Sequence, residues 1–131
     1  MSTPKHPTTR IPTAVTISRV LHALGRCGLS VRGYDFERTP SLTGVHGLPA
    51  YGASPHDGAG RPFVGCRGRP LIQLSDRALQ DTATAVTTIF HEIAHHRAYR
   101  RTGNGGTEGA AEAYGQRMYE RFARRQARPE R

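Results

Sequence analysis

The chain has 131 residues, a formal net charge of +9, 36% apolar residues, fifteen Gly, nine Pro and no Trp. That length fits one small domain able to bury a core of its own, so disulfides are not needed to fold it, and two cysteines form no disulfide framework. The Gly and Pro content argues against a plain helical bundle, no apolar run approaches the ~18 residues of a membrane span, and the polar start has no apolar signal segment, so the expectation is a cytoplasmic protein without a membrane partner.

Residues 1–12 carry Pro4, Pro7 and Pro12 among polar residues and read as a disordered arm. From Thr13 the pattern turns helical: Ile17, Val20, Leu21 and Leu24 recur at one helical face, predicting a helix over about 13–25. Thr13 or Thr16 would cap it, and Gly25 or Gly28 would end it. Leu29 to Phe36 alternates weakly and predicts a strand, and residues 37–69 read as Gly/Pro-rich loops with one short hairpin around Gly47–Tyr51. Pro70 to Leu74 is a compact apolar strand leading into Ser75-Asp76. A helical segment follows over about 77–100, its apolar face made by Leu79, Val86, Ile89, Phe90, Ile93 and Ala94, with Asp81 or Thr82 as cap. Gly103-Asn104-Gly105-Gly106 stops it, and Thr107 opens a last helix over about 107–126, leaving 127–131 as a basic tail. The fold expected is α+β: an N-terminal helix, a small, mostly antiparallel sheet, and two C-terminal helices, in one domain over 13–126.

The chemistry lies in His91-Glu92-Ile93-Ala94-His95, an HExxH pattern. On a helix, residues four apart share a face, so both imidazoles can meet one ion. Glu92 is rotated about 100° from His91 and suits a general base acting on a zinc-bound water. Zinc, one per chain, is the expected cofactor, since two imidazoles and a carboxylate suit it best. The third ligand must come from elsewhere, and the last helix offers Glu108 and Glu112. Glu112 is favoured because Ala110, Ala111 and Ala113 allow close helix approach, with Glu108 as the alternative ligand or as a partner orienting a histidine. Tyr99 and Tyr114 are candidate oxyanion donors or packing residues. His96 points away from the ligand face and reads as a surface histidine or one supporting a ligand. His22, His46 and His56 have no metal spacing. Cys27 and Cys66 read as buried or half-buried thiols.

Strand, HExxH helix, short turn and helix with Glu-Ala resemble the ImmA/IrrE-type zinc metallopeptidases, a gluzincin-like group, on His91, Glu92, His95 and Glu112-Ala113. The resemblance covers about 70–120. Here the stretch from His95 to Glu112 is short, and Tyr114 follows Glu-Ala with no Phe-Ala after it. The resemblance implies a zincin-like fold, Glu112 as third ligand, and Pro70–Ser75 as an edge strand aligning an extended peptide. It also implies a protein substrate, with DNA-binding regulators as the substrate class. Two other readings stand beside this metallopeptidase. The charge of +9 motivates a DNA-associated, SprT-like protease that cuts proteins on DNA, with arginines grouped at Arg97, Arg100, Arg101 and from Arg117 onward. The other is a non-catalytic zinc-containing binding or regulatory module of a mobile element, which Glu92 argues against, because a structural site needs no base.

Overall fold

The computed structural model describes residues 15–44 and 47–127. The expected arm at 1–12, the Thr13 cap, His46 and the tail beyond 127 lie outside the described residues. Helix α1 spans Ile17–Arg26, and Thr16 caps it by accepting the amide of Arg19 at 3.1 Å. Strands β1 (Asp35–Arg38), β2 (Gly52–Ala53) and β3 (Leu71–Leu74) follow, then a 3-10 turn at Ala78–Gln80, α2 (Thr82–Thr102) and α3 (Glu108–Gln126). No helix among the described residues is long and apolar enough to cross a membrane.

The fold is α+β, but the sheet is mixed rather than mostly antiparallel. Its order is β1-β3-β2, with β1 parallel and β2 antiparallel to β3. The long excursion between β1 and β3 lets the chain return in the same direction, and only the short β2 comes back against it. β1 begins later than the alternation from Leu29 predicts. A turn closes first, Tyr34 N donating to Val31 O, and Asp35 then anchors the strand. The buried Asp35 carboxylate accepts the amides of Arg67 (2.9 Å) and Arg69 (3.2 Å), tying β1 to the loop before β3. Around the hairpin expected at Gly47–Tyr51, Thr43 bridges Pro49.

β3 alternates as its sequence demands: Ile72 and Leu74 are fully buried, while Leu71 and Gln73 are half-buried. The buried pair meets Val86, Ile89, Phe90 and Ile93 of α2, with Val20 and Leu24 of α1 and Phe122 of α3 completing one core. Of the apolar face expected on α2, only Ala94 stays half-buried. Asp81 caps α2, accepting the Thr84 amide at 2.7 Å. Gly103 ends it at φ +82°, a conformation with little penalty only for glycine. Thr107 caps α3 by accepting the Ala110 amide at 3.1 Å. The two helices pack closely where α3 is smallest. A Cβ on Gly115 would lie 2.7 Å from the Thr87 carbonyl oxygen, and Ala111 beside it is buried.

Candidate metal centre

Helical spacing puts His91 and His95 on one face of α2, ring centroids 4.9 Å apart. His91 Nε2 lies 3.0 Å from one oxygen of Glu108, and His95 Nε2 lies 3.2 Å from the other. Ligand atoms of His91, His95 and Glu108 fall within 4.8 Å of one another, a cluster that could hold a metal ion. The geometry of His95 sharpens this. Its Nδ1 is 2.7 Å from the Gly105 carbonyl, which can only accept, so Nδ1 carries the proton. A ring with its only proton there would turn the lone pair of Nε2 toward a carboxylate oxygen. Two such acceptors repel unless a positive charge, a second proton or a cation, lies between them. Partial burial pushes the Glu108 carboxyl up, but the charges and hydrogen bonds of His95 and His91 outweigh it and hold it below the usual range.

The expected places of the two glutamates are exchanged. Glu108, not Glu112, joins the histidine pair, while Glu112 stands 3.4 Å from Nδ1, the other ring nitrogen of His91. The reason is the length of the turn. Only residues 103–107 separate α2 from α3, so the first turn of α3 is already level with His95. One turn further, Glu112 has passed the pair and flanks His91 from behind. Glu112 thus stands beside the outer nitrogen of His91, where a carboxylate could orient a ligand imidazole.

Glu92 is buried against the floor of a cleft of about 790 Å³. Burial pushes its carboxyl up, the charges of His91 and His95 pull it down, and the net lies above the usual carboxylate range. The cleft has Leu48 to Gly52 on one side, Thr84, Thr87 and Thr88 of α2 below, and Glu112, Gln116 and Tyr119 of α3 opposite. Gly52 is required there: a Cβ would stand 2.7 Å from Thr88 Cγ2 and 3.2 Å from Glu92 Cγ.

Tyr99 and Tyr114 take the packing alternative, and the readings of His96 and of the peptide-aligning strand are corrected. Tyr99 does not line the cleft; its ring stacks on His56 at 3.7 Å. Tyr114 also lies outside it, its hydroxyl accepting from Arg97 Nη1 at 2.9 Å. His96 points away from the cleft as expected but is buried, with its ring edge-on to Tyr34, rather than on the surface. β3 is the central strand, paired on both sides, and cannot align a peptide; β2, at the sheet edge, borders the cleft instead. Of the thiols, Cys27 is half-buried but Cys66 is exposed. Gln116 and Tyr119 also line the cleft, and Glu108, Glu112, Gln116 and Tyr119 follow helical spacing, a signal present in the sequence. Gly52 and Tyr51 carry no such signal, because their place depends on a two-residue strand within a Gly/Pro-rich stretch. No family model matches the chain, and neither a curated protein nor a solved structure matches it.

Proposed function

We propose that the protein is a zinc metallopeptidase of zincin-like build that hydrolyses peptide bonds of a protein substrate in the cytoplasm. The observation that carries this is the convergence of His91 Nε2, His95 Nε2 and Glu108 beside a buried Glu92 at the floor of an open cleft. His91, His95 and Glu108 would hold one zinc ion. Two imidazoles and one carboxylate are the donor types zinc takes at hydrolytic sites, and the Gly105 carbonyl fixes the tautomer that leaves His95 Nε2 free to bind. When bound, the ion supplies Lewis acidity, acidifying a coordinated water and polarising a carbonyl.

The residues of the chain do the rest. Glu92, with its raised affinity for protons, accepts one at its carboxylate as the attack proceeds and returns it to the leaving amine. The β2 edge offers backbone hydrogen bonds to an extended peptide laid along Leu48–Gly52. Gly52 lets that backbone lie against Thr88 and Glu92, so the bound chain passes close to the base. Tyr119 and Gln116 bring a hydroxyl and an amide to the opposite wall. The resemblance to ImmA/IrrE-type peptidases extends the reading to DNA-binding regulators as substrates.

The test is cleavage of a library of extended peptides by the zinc-loaded protein, followed by mass spectrometry, beside Glu92→Gln. The variant is expected to keep its zinc and to cleave about 10²–10⁴-fold more slowly. Equal cleavage by wild type and variant, or cleavage that persists in chelator, would refute the proposal.

A further inference from the structure

Beyond the cleft, α2 and α3 enclose a second depression of about 340 Å³, lined by Arg97, Arg101, Arg117, Tyr114 and the turn at Gly105-Gly106-Thr107. The Arg97 and Arg117 guanidiniums sit 5.5 Å and 5.7 Å from the centre of the Tyr114 ring, which holds both by cation–π attraction. Arg97 is steadied further by its bond to the Tyr114 hydroxyl. Arg121 and Arg124 follow Arg117 at helical spacing and line another basic depression further along α3. Glu108 and Glu112 line the catalytic cleft and neither basic depression. Glu120 is the sole carboxylate of α3 beyond Glu112. Among the described residues, no carboxylate lies within 4.0 Å of any of these five guanidiniums.

We propose that Arg97, Arg101, Arg117, Arg121 and Arg124 form a track for the phosphodiester backbone of a nucleic-acid duplex. Five exposed guanidiniums without carboxylate partners among the described residues are a concentration of positive charge that a polyanion neutralises with release of its counterions. Arg117 to Arg124 spans about 10 Å of helix, the axial length of about three nucleotides of one strand. A duplex fits better than a single strand, because a single strand needs open aromatic faces to stack on. The one aromatic ring here, Tyr114, is flanked by guanidiniums. Contacts to the backbone alone confer no sequence preference. The inference is independent of the peptidase reading.

The experiment is fluorescence anisotropy of the zinc-loaded full chain with a labelled DNA duplex of about 20 base pairs, the matching RNA duplex and the single strand, over about 50–200 mM salt. Five phosphate contacts predict a log–log salt slope of about −4.5, a loss of roughly 500-fold in affinity over that range. Arg101→Gln with Arg121→Gln should lower the slope by about two, while Arg19→Gln with Arg32→Gln, exposed elsewhere, should leave it unchanged. Unchanged zinc content and melting temperature show that the variants are folded. Binding of either duplex supports the track, and the tighter one identifies the source of the backbone. Equal losses in the two double variants, tighter binding of the single strand, or displacement by inorganic phosphate beyond that of chloride at equal ionic strength would each overturn it.

Discussion

The contact between α2 and α3 is testable with two glycine-to-alanine changes on one helix. At Gly115 an added Cβ would lie 2.7 Å from a backbone oxygen of α2, which cannot rotate away. At Gly109 it would meet nothing within 4 Å. Alanine gains up to about 1 kcal/mol of helix propensity over glycine, somewhat less in a first turn such as that of Gly109. At Gly115 an overpacking cost of about 1–3 kcal/mol opposes that gain. The propensity gain largely cancels between the variants, so Gly109→Ala should be the more stable by roughly 1–3 kcal/mol. At about 3–4 °C per kcal/mol for a chain of this size, the melting temperatures should differ by roughly 3–12 °C. The melts belong in chelator, so that bound metal does not mask the difference. Zinc affinity then reads the same contact: widening the helix pair moves Glu108 away from His91 and His95, so Gly115→Ala should bind zinc more weakly and Gly109→Ala should not. Melting temperatures within about 1 °C of each other would show that the close approach at Gly115 does not exist.

Two other outcomes follow from single contacts. Glu108→Ala should cost more zinc affinity than Glu112→Ala, whose loss should be about 10–100-fold, as for an outer partner of a ligand; competition against a chromophoric chelator measures both, and the reverse order would restore Glu112 as the ligand. Asp81→Ala should destabilise by about 1 kcal/mol near neutral pH, through loss of the α2 cap. The Thr84 amide holds the Asp81 carboxyl below its ordinary range, so its contribution is full above that range and lost as pH falls through it. The gap between wild type and variant in urea melts should therefore close in acid, and a constant gap would rule out a charged cap.

The parts of the fold legible in the sequence were those governed by local rules. Thr16, Asp81 and Thr107 cap the helices, and Gly103 ends α2, because each needs only its own residue type and its neighbours two or three positions away. Strand β3 was legible for the same reason, its apolar run being bounded by Pro70 and Ser75-Asp76. The sheet was not, because pairing joins residues far apart in the chain. Nothing near Pro70–Ser75 reveals that β1 lies parallel on one side and β2 antiparallel on the other. The strand at Pro70–Ser75 is therefore legible, while its central place in the sheet is not.

The candidate site divides along the same line. His91, Glu92 and His95 are fixed relative to one another by a single helix, so their spacing already contained their geometry. The choice between Glu108 and Glu112 depended on the vertical offset between two helices, which residues 103–107 set. Of Ala110, Ala111 and Ala113 only Ala111 is buried against α2, with Gly115 at the closest approach, and closeness across the axis says nothing about register along it. Register comes from the turn, which stops α2 at Gly103, brings the Gly105 carbonyl to His95 Nδ1, and starts α3 with Glu108 already beside the pair. Gly105 and Gly106 also border the arginine pocket. One short glycine-rich turn therefore selects the carboxylate that joins the two histidines, orients the second histidine and forms the rim of the basic depression, so its length is the variable on which both proposed sites depend.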